Sequence, residues 1–295
     1  MSGRNESPRA KNCELHFLIT SIWVNLIKDC STTWDKGQTY MKRVITLCTD
    51  FGIADHYAGV MKGVILGINP DAVIIDITHS IPKFDVLTGA LTLSSSYDYY
   101  PEGTIHIAVV DPGVGSERKP IAMEADGSYF VGPDNGLFSM IFRRSSNKRI
   151  TEITNTDYMM NHVSRTFHGR DIFSPAAAHI SMGVNINELG DEVSSPVTLE
   201  LPEPVVLPGR VTGEIIHLDS FGNLVTNVPS KMVKSGSEVF VGELSLGAPK
   251  SSYGSVKRGE LLCIVGSSGY LEISVNQGSA YEALGRELQV TIVMD

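Results

Sequence analysis

Cysteines at metal or redox spacing are missing from this 295-residue chain. Its four cysteines, Cys13, Cys30, Cys48 and Cys263, include no CxxC, and no Cys/His group has zinc-finger spacing. That excludes a zinc ribbon and fits a reducing, cytoplasmic compartment. Basic charge is scarce too. Lys and Arg number 24 against 33 Asp and Glu, a net charge of -9, which argues against a nucleic-acid surface and suits a small or cationic ligand. No apolar run reaches membrane length. The longest obvious one, FLITSIWVNLI at 17–27, is too short to span a bilayer. Glu14 and Asp29 flank it and no small-residue cleavage site follows, so it makes a poor signal peptide. No HExxH occurs, and His168 and His179 are eleven residues apart, so no metal site is expected. Internal repeats and low-complexity tracts are likewise absent.

What is present is enough apolar sequence for a sizeable core: 42% hydrophobic residues against 19% charged. Residues 1–40 show no period and are expected to be an extra, disordered segment. At Met41 the character changes, and Met41 reads as the start of the folded domain. From there apolar strands alternate with helical spacing. RVITLCT, AVIIDIT and TIHIAVV read as strands, with helices expected over DHYAGVMKGVILGINP and DVLTGALTLSSSYDYY. This predicts an α/β domain over 41–200, a largely parallel sheet flanked by helices. In FSPAAAHISMG, Ser174 is expected as an N-cap, with Pro175 at the first helical position and Gly183 as the stop. LPEPVVLPG at 201–209 holds three prolines and reads as a linker. Short β runs broken by Gly, Ser and Asn then predict an all-β, barrel-like domain over 210–295.

Six stretches hold residue types that do chemistry. In TDFGIADHYAG, Asp50 ends a strand, where open α/β sheets bind ligands, and Asp55 opens the next helix. The plainer alternative is that Asp55 merely complements the helix dipole. VDPGVGSER at 110–118 lacks the third glycine of GxGxxG, and no GK[ST] follows, so a phosphate loop is disfavoured. It is either a strand-ending turn or a device that folds Arg118 back onto Asp111, where a guanidinium keeps a carboxylate ionised and able to orient water. Asp134-Asn135-Gly136 reads as a turn with positive φ. His168, Gly169, Arg170 and Asp171 lie in a polar loop before a helix, which lifts His168 above the usual structural histidine. HLDSFGNLVTN sets Asp219, Phe221 and Asn223 on one tight turn, and VGSSGYLEISVN offers the hydroxyls of Ser267 and Ser268 on another.

Together TLCTDFGIADHYAGVMKG, AVVDPGVGSER, FVGPDNGL, TFHGRDIFSPAAAH, DSFGNLVTN and GYLEISVNQGSA resemble the S-adenosylmethionine hydrolases, or hydroxide adenosyltransferases, relatives of fluorinase and chlorinase. The resemblance runs from Met41 to the C-terminus. It implies hydrolysis of S-adenosyl-L-methionine to adenosine and L-methionine by water or hydroxide at C5′. S-adenosylmethionine would be the substrate, and no cofactor is implied. It also implies a homotrimer whose site lies between the first domain of one subunit and the second of its neighbour. The water-activating set falls on Asp111, Arg118 and His168, with which of Asp111 and His168 takes the proton left open. Asp50 is implied at the ribose, and Asp55, Asp219 and Ser267 at the methionine end. Phe221 and Asn223 fall on the adenosine side, with Phe84 over the substrate. Two departures separate the chain from the halogenases, which carry tyrosine where Asp111 stands and serine where Gly169 stands. Their long insertion after the arginine motif is missing as well.

A halide ~4 Å from an ionised carboxylate is repelled by roughly 4 kcal/mol at an effective dielectric near 20. That is about a thousandfold in occupancy, so Asp111 favours water over halide so long as Arg118 leaves it its charge. A non-catalytic S-adenosylmethionine or adenosine sensor, and a halogenase, remain as alternatives.

Overall fold

The computed structural model describes residues 43–234, 236–285 and 289–293. The segment 1–40 expected to be disordered lies outside the described residues, as does Met41. The chain divides between Val197 and Thr198 into two compact units.

The first unit is built on β1 (Val44–Thr49), β2 (Val73–Thr78), β3 (Ile105–Val109), β4 (Pro120–Ala125), β5 (Ser128–Pro133) and β6 (Lys148–Glu152), in the order β2-β1-β3-β5-β4-β6. The β2, β1, β3 and β5 strands run parallel, while β4 is antiparallel to β5 and β6. β1 and β3 are apolar on both faces because both faces are covered. On one side Ile45, Leu47, Ile105 and Ile107 pack with Met61 and Ile65 of α1 (Tyr57–Ile68), and with Ala176, Ala177 and Ile180 of α4 (Ser174–Ser181). On the other, Cys48, Ala108, Val110 and Phe130 meet Leu93 of α2 (Val86–Ser96), and Ile141 and Phe142 of α3 (Ser139–Arg144).

Two local expectations change. Ser174 does not cap α4. The helix is preceded without a break by a π-helical turn over Gly169–Phe173, and Ser174 Oγ donates to the Gly169 carbonyl at 2.7 Å. Pro175 has no N–H to give the Asp171 carbonyl, and Met160 N donates to that oxygen instead, at 2.9 Å. A wide turn thus replaces the expected start, as such π-bulges do at functional sites. Gly183 ends α4 as expected, at φ +100. Likewise Asp55 does not open α1. The helix starts at Tyr57 with His56 at the N-cap, no side-chain cap and no acid in its first turn.

The second unit is an antiparallel, barrel-like sheet. Its strands are β7 (Val205–Leu207), β8 (Arg210–Leu218), β9 (Leu224–Pro229), β10 (Glu238–Val241), β11 (Leu244–Gly247), β12 (Leu261–Val265), β13 (Tyr270–Val275) and β14 (Gln289–Val293). Their order is β11-β10-β14-β8-β9-β13-β12, with β7 on β8. β8 joins the two halves: Arg210–Glu214 pairs with β14, and beyond that point Ile215–Leu218 pairs with β9. Lys250 bridges to Ile264 and brings the ends of the sheet together. The only α-helix among the described residues of this unit is the short α5 (Ala280–Leu284). Three residues expected as linker, Val205–Leu207, form an edge strand flanked by Pro204 and Pro208, the place where a sheet tolerates proline.

Candidate active site

Asp50 and Asp111 follow the carboxyl ends of the neighbouring strands β1 and β3, which pair in register from Ile45–Ile105 to Thr49–Val109. This is where an open α/β sheet presents side chains to a ligand. The strand ends are stitched in place. Thr49 Oγ1 bonds His79 Nδ1 at 2.8 Å, Gly52 N donates to the His79 carbonyl at 2.7 Å, and Asn135 Nδ2 holds the Val110 carbonyl at 2.8 Å. The Asp134-Asn135-Gly136 segment is thus structural, with the positive φ at Gly136.

The VDPGVGSER segment is a folded-back loop. Val114 N donates to the Asp111 carbonyl at 3.3 Å and Ser116 N to the Gly113 carbonyl at 3.1 Å. The second turn requires glycine. Gly115 has φ +76, and a Cβ there would stand 2.3 Å from the Arg165 carbonyl oxygen. That close approach seats the loop against the segment leading into His168. The result is a buried charge network. Arg118 Nε donates to Asp111 Oδ1 at 3.1 Å and Oδ2 at 3.0 Å, and Nη2 donates to Oδ2 at 2.5 Å. The same Nη2 lies 2.7 Å from His168 Nδ1. The Arg118 and Asp111 side chains are 8% and 5% exposed. The Arg118 guanidinium also lies over the Phe173 ring, at 5.4 Å. Burial first, and then the Arg118 charge, push the His168 pKa below its usual value, against Asp111 and Asp171, which raise it.

A cleft of about 720 Å³ opens over these strand ends. Asp50, Asp55, Phe84, Asp111 and His168 all line it; Arg118 does not, and stands behind Asp111 and His168. Asp50 has a structural task as well as a place on the wall. Its Oδ2 accepts from Phe84 N at 2.9 Å, and Phe84 is held at φ +68, an uncommon conformation for a large side chain. Phe84 is 67% exposed, an apolar ring presented to the cleft.

The structure adds lining residues that sequence reasoning missed. Phe51, Tyr57 and Phe167 form an aromatic cluster, with ring centroids 5.2 to 5.9 Å apart. Phe51 directly follows Asp50 and Phe167 directly precedes His168, a signal that was readable in the chain. Lys83 and Arg170 bring positive charge to the wall. Arg170 is paired with the buried Asp171, Nε to Oδ1 at 2.6 Å.

In the second unit, Asp219, Phe221 and Asn223 share the β8–β9 turn. Asp219 Oδ1 accepts from Phe221 N at 2.9 Å and Asn223 N at 2.8 Å, and its Oδ2 accepts from Asn223 Nδ2 at 2.8 Å. Asp219 therefore shapes the turn, which leaves Phe221 77% exposed. Ser267 is exposed on the β12–β13 turn. Glu272, another residue sequence reasoning passed over, is buried beneath that turn against Gly266. Burial, then Asp219, push its carboxyl up, while Tyr253 donates to it at 3.3 Å.

Residues 45–190 match the SAM hydroxide adenosyltransferase N-terminal domain, and 213–293 match the C-terminal domain of the same family. The chain belongs to this family. A relative from Salinispora tropica, named (R)-S-adenosyl-L-methionine hydrolase, is 36% identical over 244 residues, 82% of this chain and 93% of the relative. A fluorinase from an Actinoplanes species is more distant, at 28% over 212 residues, 63% of this chain and 71% of the fluorinase. Among solved structures, an uncharacterized conserved protein from Thermotoga maritima superposes with a TM-score of 0.79 at 38% identity, covering 85% of this chain and 99% of that one. For a SAM hydroxide adenosyltransferase, the cleft joins a carboxylate, an imidazole and aromatic rings over the parallel strand ends. Among the described residues, no group of three or more His, Cys, Asp or Glu is placed to hold a metal ion. Nor is any helix among them long and apolar enough to cross a membrane.

Proposed function

We propose that this protein hydrolyses S-adenosyl-L-methionine to adenosine and L-methionine, by attack of water at C5′. The observation that carries the reading is Asp111 beside His168 on the cleft wall, both bonded to one buried arginine. The Salinispora relative's name supports the same activity. The leaving group is a sulfonium, expelled as a neutral thioether, so the chemistry calls for neither a general acid nor a cofactor. It needs water aligned with the C5′–S bond, an acceptor for its proton, and exclusion of bulk solvent. Asp111 and His168 address the water. Arg118 acts from behind, fixing both. Asp50 is assigned to the ribose hydroxyls, Phe84 to the face of the substrate, and Asp55 to the cationic methionine end.

Halide use is disfavoured on shape as well as charge. The roughly 4 kcal/mol repulsion expected of a bare carboxylate is an upper bound, because Arg118 offsets the Asp111 charge. The carboxylate nevertheless fills the wall with an acceptor, which suits a water's O–H and offers a halide nothing. The deciding assay is turnover in oxygen-18 water. Labelled 5′-hydroxyl oxygen in the adenosine is expected. Intact substrate after long incubation would instead mark a sensor, and chloride-dependent 5′-chloro-5′-deoxyadenosine a halogenase.

The assembly assigned to this chain is a homotrimer in which Asp219, Phe221, Asn223 and Ser267 of one copy complete the cleft of another. Ile53, Phe84 and Phe221, 88%, 67% and 77% exposed, support it, since such side chains gain by being covered. Light scattering that gives three times the 32.0 kDa chain mass tests it. A cytoplasmic location is assigned from the free, buried thiols of Cys48 and Cys263.

A further inference from the structure

The geometry points to Asp111, not His168, as the group that takes the proton from the attacking water, with His168 fixed as the tautomer protonated on Nε2. This rests on the hydrolytic reading above. The decisive contact is the 2.7 Å approach of Arg118 Nη2 to His168 Nδ1. A guanidinium is a donor at every nitrogen and accepts from none. The Nδ1 lone pair is therefore the acceptor in this contact, and in the neutral ring the proton lies on Nε2. For His168 to draw a proton from water through Nε2, it would need the opposite tautomer. Its Nδ1–H would then meet the Arg118 N–H at the same short distance, donor against donor. The ring can neither present a lone pair to the cleft nor gain a second proton without breaking the Arg118 contact.

The charges around the ring agree. Arg118 faces it from the 111–118 loop and opposes protonation, as burial does. Asp111, Asp171 of the π-helical turn and the Ser164 backbone favour protonation, and the balance lowers the pKa. Asp111 is differently placed. A carboxylate carries about four lone-pair sites, and Arg118 reaches Asp111 with two N–H groups, the single Nε–H shared between Oδ1 and Oδ2 and one Nη2–H on Oδ2. Acceptor capacity is left over on a residue that lines the cleft.

The step balances as follows. A water lone pair forms the O–C5′ bond while the C5′–S pair leaves with sulfur, giving the uncharged thioether of methionine. The water's proton passes to Asp111 and from there to solvent. The sulfonium's positive charge ends as the released proton.

The test uses the full chain with nitrogen-15 histidine, the His168 signals being assigned by their loss in His168→Gln. At pH 7.5 an unprotonated Nδ1 and a protonated Nε2 are expected. A protonated Nδ1, or an imidazolium, overturns the proposal. This readout needs no turnover, so it stands apart from the failure of the hydrolase reading, which the oxygen-18 assay exposes. The pH profile of kcat/KM gives a second measure. His168→Gln is expected to lower kcat less than tenfold and to keep the acid limb of the native profile. An acid limb that disappears in His168→Gln assigns the proton to the histidine and refutes the inference.

Discussion

Replacing Gly115 with alanine tests the construction of the site without touching any of its reactive groups. The added Cβ would lie 2.3 Å from the Arg165 carbonyl, where real Cβ contacts stay beyond 3.0 Å, so one of the two segments must move by about 0.7 Å. One of them carries Asp111 and Arg118, and the other leads into His168. A displacement of about 1 Å at groups that position reactants costs on the order of a hundredfold in rate. Alanine at φ +76 also adds about 1–2 kcal/mol of backbone strain. Gly183→Ala is the matched control, since Gly183 sits at φ +100 with nothing within 4 Å of its would-be Cβ. It should show the strain alone. We expect both variants to lose a few degrees of melting temperature, and only Gly115→Ala to lose adenosine formation, by roughly a hundredfold in kcat. A folded Gly115→Ala with native kcat, or equal activity losses in the two variants, would falsify the claim that this close approach assembles the site.

Asp111→Asn should lower kcat by about 10²–10⁴-fold while changing substrate affinity little, measured by turnover and calorimetry; unchanged kcat removes Asp111 from the chemistry. His106 is fully buried in β3, bonded to Thr46 Oγ1 at 2.8 Å, and burial lowers its pKa from 6.5 to about 4. The unfolded chain binds the proton first as pH falls, so this stability is present above pH 6.5 and shrinks by about 3 kcal/mol towards pH 4. Denaturation at pH 7 and pH 4.5 should show that loss, and a shallower one in His106→Phe. The Cys48 and Cys263 thiols, pushed by burial up to about 12 and about 11, should resist iodoacetamide at pH 8 until the protein is unfolded; rapid labelling of the native protein contradicts their burial. Phe84→Gly should relieve the strain at φ +68 and stabilise the backbone by about 1 kcal/mol, yet raise KM through loss of the ring from the cleft; an unchanged KM detaches Phe84 from the substrate.

How far the chain could be read depended on how local each determinant was. The strands at 43–49 and 104–110 were legible because both of their faces are buried, which leaves continuous apolar runs. Asp50 and Asp111 could be placed at strand ends for the same reason. The helix start near Ser174 was misjudged because Ser-Pro is a local cap signal. Here it was overridden by the turn over Gly169–Phe173, where Met160, fifteen positions before Pro175, satisfies the carbonyl the proline leaves free. The strand over Lys148–Glu152 was not anticipated, since only its pairing with β4 makes KRITE a strand. Glu272 was passed over because an acid within an apolar alternation gains meaning only when its burial is known.

Periodicity and turn residues act over a few neighbours, so the order of elements, the two-part architecture and the residue types available for chemistry are written directly in the chain. It also brought Arg118 within reach of Asp111, seven positions away. The sharing of Arg118 with His168, fifty positions on, and its place behind the cleft wall rather than on it come from long-range packing. That arrangement depends on a glycine lying against a distant carbonyl. Close packing between segments far apart in the chain leaves no period in the sequence to read.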